Sequence, residues 1–193
     1  MARRKEFVPA QALEKAMLLF WKQGYEGSSI EEIMQCMGLG RGSLYDTFGD
    51  KHSLYLATLD LYISTGKEGL AILRHQSGSL QEILQGFFQA LIEEALTDPE
   101  HRGCFMVNAA LEMAPHDPEV AQRVQTGLDE TIEAFYHILI KAQVSGELAW
   151  TRDPHQLAHF LMNTLLGLRM LSRASSNRRM LQDIVAAALT VFA

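Results

Sequence analysis

Cysteine is scarce in this 193-residue chain: Cys36 and Cys104 are the only two, too few for a disulfide framework. No apolar, signal-like stretch opens it, so a reducing cytoplasm is the expected compartment. Long hydrophobic runs are missing too. The uncharged stretch from Pro154 to Leu168 falls short of the ~18 to 20 apolar residues a membrane span needs and carries His155, Gln156, His159 and Asn163, which excludes a membrane as partner. Only five prolines occur, at 9, 99, 115, 118 and 154, and between them apolar residues recur at three- and four-residue spacing rather than alternating. The fold class is therefore all-α. Positive charge is in short supply, with 17 Lys and Arg against 23 Asp and Glu, a net −6 that taken alone argues against nucleic acid. The deficit is uneven. Residues 1–51 balance seven against seven behind a basic start, Arg3-Arg4-Lys5, whereas residues 52–193 carry ten against sixteen. A neutral N-terminal unit and an acidic remainder suggest two jobs. A chain of this length buries roughly 70% of its unfolded surface, so no metal or disulfide is needed to build a core.

About nine helices are expected. The first starts near Pro9, buries Leu13, Ala16, Met17 and Phe20, and stops at Gly24. A capping box follows in either of two registers, Ser28 with Glu31 or Ser29 with Glu32, ahead of a short helix from Ile30 to Met37. Gly38-Leu39-Gly40 breaks it. A second short helix spans Arg41 to Phe48, and Asp50 caps a longer one running through Leu54, Leu61 and Leu70. Ser79 caps a helix whose inner face reads Leu80, Ile83, Leu84, Phe87, Leu91 and Ile92 and which ends at Asp98-Pro99. A shorter apolar helix runs from Cys104 to Met113. Asp117-Pro118 and Asp153-Pro154 each pair a cap with a first-turn proline to open long helices, and a last one carries Met180, Leu181, Ile184, Val185, Ala188 and Leu189. The final two are apolar around a wide arc and contain Gly167, Ala174, Ala186 and Ala187. Either they pack inside the subunit or they meet a second copy.

Two short helices about a glycine turn match a helix-turn-helix over residues 30–48, the second presenting Arg41, Gly42, Ser43, Asp46 and Thr47 outward while Leu44, Tyr45 and Phe48 face inward. Gly24-Tyr25-Glu26-Gly27-Ser28-Ser29-Ile30-Glu31-Glu32-Ile33 and then Gly38 to Lys51, reading GLGRGSLYDTFGDK, resemble the N-terminal signature of TetR-family transcriptional regulators. The resemblance implies a homodimer joined by its last two helices into a four-helix bundle. It further implies operator DNA held in the major groove by residues 1–51 and released when a small-molecule effector binds residues 52–193. Gly42 would let the second helix approach the DNA backbone closely. Arg41 and Ser43 are the candidate base or phosphate readers, Tyr45 points its hydroxyl at a phosphate while its ring packs, and Lys51 with the opening amides of the next helix holds another. Ser28 either contacts phosphate or simply caps. Met37, Gly40 and Thr47 depart from the usual family residues, and a threonine hydroxyl at 47 reaches less far than the histidine often found there.

Outside this unit, His155 and His159 have metal-ligand spacing but no third ligand, no catalytic motif is present, and neither metal nor cofactor is expected. The run His101-Arg102-Gly103-Cys104-Phe105-Met106-Val107-Asn108 resembles a segment of those TetR-type regulators that respond to electrophiles or to small carbonyl or carboxylate compounds. Asn108 is the candidate hydrogen-bonding group of an effector pocket. Cys104, in the first turn of its helix beside Arg102 and His101, is either a reactive thiol or a small packed apolar residue, with Cys36 as the core control. A helical small-molecule-binding or interaction module without DNA binding is the alternative, against which Arg41, Gly42, Tyr45 and Lys51 all stand.

Overall fold

The computed structural model describes residues 8–75 and 77–192, and among these there are nine α-helices, no strands, and a closing 3-10 turn at Thr190–Phe192. The helices are α1 (Pro9–Gln23), α2 (Ile30–Met37), α3 (Arg41–Phe48), α4 (Lys51–His75), α5 (Leu80–Thr97), α6 (Phe105–Glu112), α7 (Pro118–Ser145), α8 (Pro154–Ala174) and α9 (Arg178–Leu189). None of them is long and apolar enough to cross a membrane. The Arg3-Arg4-Lys5 arm lies outside the described residues.

Local chemistry explains where most helices begin. Ser29, not Ser28, caps α2: its hydroxyl accepts from the Glu32 amide at 3.2 Å while Glu32 Oε2 accepts from the Ser29 amide at 2.9 Å. Asp50 Oδ1 accepts from the Ser53 amide at 2.7 Å to open α4, and Asp117 and Asp153 serve α7 and α8 with proline in the first turn. Asn177 caps α9 through the Met180 amide, a start that no proline marks. At the other ends Gly38 closes α2 and Gly146 closes α7 in the left-handed conformation.

Two apolar clusters result. One gathers α5, the later part of α7, α8 and α9 around Phe88, Phe135, Leu139, Leu161 and Leu181. On α5 the inward stripe runs through Leu84, Phe88 and Leu91, so Phe88 is buried where Phe87 was expected; Phe87 is half-buried, its ring edge-on to Phe88 and Phe135. The other cluster holds α1 to α3 against the first half of α4, and it draws in Phe105 and Ala109 of α6 and Val120 and Val124 of α7. Tyr55 stands at its centre, edge-on to Phe20, Tyr25 and Phe105 at 5.1 to 5.6 Å between centroids. From Phe105 the contacts continue through Tyr62 to Trp21 at 5.7 and 4.9 Å. Each such pair contributes about 0.5–1.5 kcal/mol beyond its buried area.

Phe105→Ala should remove the junction of this aromatic chain and cost about 3–5 kcal/mol. Urea unfolding should show it as a lower midpoint at unchanged slope. A wild-type midpoint would mean that α6 does not brace the first cluster.

Candidate functional site

On α3 the side chain turned fully inward is Leu44, while Arg41, Gly42, Tyr45, Asp46 and Thr47 are exposed and Ser43 and Phe48 are half-buried. Tyr45 departs from expectation: its ring is 41% exposed instead of packed. The residue one step along from Leu44 is rotated about 100° round so short a helix, and Phe48, one full turn on, takes the inner place. Ser28 is also displaced from its expected role. It is wholly buried, and its hydroxyl donates to the Gly24 carbonyl at 2.7 Å, closing the end of α1 and leaving nothing to offer a phosphate. Gly42 has no internal reason to be glycine, because a Cβ built there meets nothing within 4 Å. Open space on an exposed face suits close approach by another molecule. Lys51 at the start of α4 carries its Nζ 4.3 Å above the Tyr25 ring. Burial, and then the charges of Glu26, Asp50 and Asp117, raise the Tyr25 hydroxyl, keeping that ring neutral. Arg41 lies 3.8 Å from Glu31, with both side chains mostly exposed, a contact too solvated to hold it.

A cavity of about 490 Å³ lies among α1, α4, α5, α6, α7 and α8. Its wall is largely apolar, with Trp21, Tyr62, Lys67, Glu94, Cys104, Glu130 and Arg169 as principal polar groups. Cys104 occupies the N-cap position of α6 rather than its first turn and is 6% exposed, and the Tyr62 hydroxyl donates toward its Sγ at 3.6 Å. Burial pushes the Tyr62 hydroxyl far up, so it stays a neutral donor. Arg102, expected beside the thiol, is given instead to Asp98 by hydrogen bonds of 2.9–3.2 Å and stacks over the Trp21 ring at 4.6 Å. Although burial opposes it, the Arg102 and Glu100 hydrogen bonds bring the Asp98 carboxyl down to about 2. Cys36 is half-buried, one step off the Ile33–Met37 stripe of α2, and is therefore more accessible than the buried Cys104, the reverse of the expected order. Asn108 does not line the cavity. Its Nδ2 donates to the Trp21 and Arg102 carbonyls at 3.3 Å, and its Oδ1 accepts from Arg173, so it braces three chain segments where an effector contact was expected. His155 and His159 are both exposed, and the His155 ring stacks on Tyr136 at 4.2 Å between centroids.

Two of the polar links that join α1–α4 to the rest, those of Glu112 and of His52, escaped sequence reasoning entirely. Glu112 at the end of α6 accepts from the Tyr25 and Glu26 amides at 3.0 and 2.9 Å. Its carboxylate occupies the space a side chain at position 24 would need, since a Cβ on Gly24 would lie 2.5 Å from Oε2, and Gly24 has φ +80°. His52 Nε2 meets Asp117 Oδ2, on the α7 cap, at 2.6 Å. Each link spans more than 60 residues of chain, so no local pattern could have announced it.

Residues 12–58 match the profile of bacterial regulatory proteins of the tetR family, and residues 81–188 match the tetracyclin repressor-like C-terminal domain, more than half of the chain. The chain belongs to the TetR family. An uncharacterized HTH-type transcriptional regulator, YezE of Bacillus subtilis (strain 168), is 36% identical over 99% of both chains. The HTH-type transcriptional repressor ComR of Escherichia coli (strain K12) is 28% identical over 98% of this chain and 91% of its own. Among solved structures, a cysteine mutant of the TetR-family regulator CifR complexed with 26-bp double-strand operator DNA superposes with a TM-score of 0.88 at 28% identity, covering 98% of both chains. This TetR-family chain is thus a DNA-binding transcriptional regulator with an N-terminal helix-turn-helix. Its cavity draws its wall from both matched segments, Trp21 from the first and Glu130 and Arg169 from the second.

Glu112→Ala should leave the Tyr25 and Glu26 amides without partners and lower stability by about 1–3 kcal/mol. Hydrogen exchange should accelerate at those two amides ahead of the α5–α8–α9 cluster. Unchanged exchange there would show that Glu112 does not hold the α1–α2 connection.

Proposed function

We propose that this regulator is a homodimeric repressor that holds operator DNA through α3 and releases it when a small molecule fills the cavity. Residues 1–51 form the DNA-binding domain and residues 52–193 the effector-binding and dimerisation domain. The observation that carries this is the α3 face itself: Arg41, Tyr45 and Thr47 are exposed around a Gly42 whose missing side chain serves no packing need. Ser43, half-buried on the same helix, lies at the edge of that face. The relatives agree with it, since ComR is an HTH-type transcriptional repressor and the CifR mutant is complexed with operator DNA. The protein acts in the cytoplasm, where its DNA is, and binds its effector without converting it.

Dimerisation is supported by a stripe on α8, Phe160, Gly167 and Met170, with Met170 57% exposed and open space beside the Gly167 Cα, alongside exposed Ala186 and Ala187 on α9. Small and apolar residues on adjacent helices let a second copy approach closely, and a two-fold protein suits a two-fold operator. A second reading of release follows from Cys104 on the cavity wall: an electrophile entering the cavity would reach its Sγ beside the Tyr62 hydroxyl.

Two measurements test this. Lys51→Ala should weaken binding on all DNA and lower the salt slope by roughly one unit, while Arg41→Ala should cost about 1–3 kcal/mol and relax preference at one position per half-site. Equal loss on specific and random DNA would reduce Arg41 to a phosphate contact. Met170→Arg should raise the dimer dissociation constant at least about tenfold in sedimentation, the effect of losing ~1.4 kcal/mol. An unaltered dimer would move the interface off α8.

A further inference from the structure

α3 carries one anion, Asp46, and the fold gives it no role. Its side chain is exposed and has no hydrogen bond or ion pair among the described residues, whereas Glu32 is committed to the α2 cap and Asp50 to the start of α4. Asp46 also lies in the last turn of α3, where the negative end of the helix dipole disfavours a further negative charge. Neither packing nor helix formation accounts for a carboxylate there.

The helix sets the direction of Asp46. Leu44 is fully buried and Phe48 half-buried, so these two mark the inner side of α3. At about 100° per residue, Asp46 projects about 180° away from the midline between them, and Tyr45 and Thr47 stand about 100° to either side of it. Gly42, one turn earlier, is its neighbour on the outward line, and the open space at that glycine adjoins the carboxylate. Hydroxyls on both flanks suit the two phosphate walls of a major groove, and a short side chain at the crest beside a bare glycine suits its floor.

We propose that Asp46 is a specificity-determining residue that accepts a hydrogen bond from the N4 amino group of one cytosine in each operator half-site. This deepens the reading of α3 as the helix that holds DNA and rests on it. A carboxylate between two phosphate walls is repelled by both, so it is tolerated only where a base edge offers it a hydrogen. When ionised it can only accept. Guanine N7 and O6 and thymine O4 are acceptors, and the N6 donor of adenine is flanked by the N7 acceptor, whereas the cytosine N4 amino group has no acceptor beside it on its own base. Removing the carboxylate therefore acts in two opposite directions: discrimination at one base pair is lost, and binding to all other DNA tightens.

Selection of retained duplexes from a random-sequence pool tests this, using the full-length protein and its Asp46→Ala, Asp46→Asn and Arg41→Ala variants. The wild type should recover a two-fold site with one cytosine per half that Asp46→Ala alone leaves unspecified. Asp46→Asn should favour adenine there, because an amide donates to N7 and accepts from N6. Replacing that C·G pair by T·A should weaken the wild type at least about fivefold per half-site and Asp46→Ala less than about twofold. On random duplex Asp46→Ala should bind more tightly than the wild type with an unchanged salt slope, since no phosphate contact is lost. A residue that merely shaped α3 would not produce this pair of opposite effects. A cytosine preference that survives Asp46→Ala, or tighter binding of Asp46→Ala to every duplex in equal proportion, overturns the inference. If Arg41→Ala relaxes a position and Asp46→Ala relaxes none, the inference fails while the α3 reading stands. If neither variant alters the recovered sequence, or the wild type recovers none, α3 is not the reading helix and both fail.

Discussion

A single unbroken helix, α4, is shared between two apolar cores, and this sharing constrains everything else in the molecule. Its first half contributes Leu54, Tyr55, Leu59 and Ile63 to the cluster that carries the helix-turn-helix, and Leu73 belongs to the cluster formed by α5, α7, α8 and α9. At 25 residues it is about 38 Å long, and a continuous helix of that length transmits displacement more readily than it absorbs it. The DNA-binding unit therefore cannot move independently of the rest while α4 remains intact. Phe105, Ala109, Val120 and Val124 strengthen that dependence by packing into the first cluster from α6 and α7.

Polar contacts fix what packing alone would leave adjustable. Glu112 reaches two consecutive amides at the end of α1 because Gly24 offers no side chain, and Asp117 both caps α7 and meets His52 at the opening of α4. Asn108 ties α6 to the end of α1 and to α8 through Trp21 and Arg173. All three residues lie on or beside α6 and at the start of α7, close in sequence to Cys104 and Met106 on the cavity wall. Packed rings and hydrogen bonds, rather than loose loops, therefore connect the cavity wall to the end of α1.

The opposite face of the DNA-binding unit is built with few internal commitments. Arg41, Tyr45 and Thr47 are exposed, Gly42 leaves open space, and Lys51 rests over the face of Tyr25. Side chains that the fold does not use are free for a partner. The cavity reverses that pattern: its wall is largely apolar, and its Lys67 and Arg169 pair with Glu130 and Glu94.

Much of the architecture was legible in the amino-acid order because it rests on interactions a few residues apart. Capping serines and aspartates, first-turn prolines and apolar spacing of three and four define nine helices, and the run from Gly24 to Lys51 marks the helix-turn-helix. Which serine capped α2 stayed open until the geometry gave the role to Ser29 and buried Ser28 under the Gly24 carbonyl. Tyr45, Cys36 and Asn108 came out differently from expectation because their surroundings depend on the rotation of short helices against distant ones, which apolar periodicity over two turns fixes only loosely. The Glu112 and His52–Asp117 links and the Lys67–Glu130 and Arg169–Glu94 pairs of the cavity lay beyond any local pattern. They join residues tens of positions apart, and only closure of the chain around α4 brings those groups within hydrogen-bonding range.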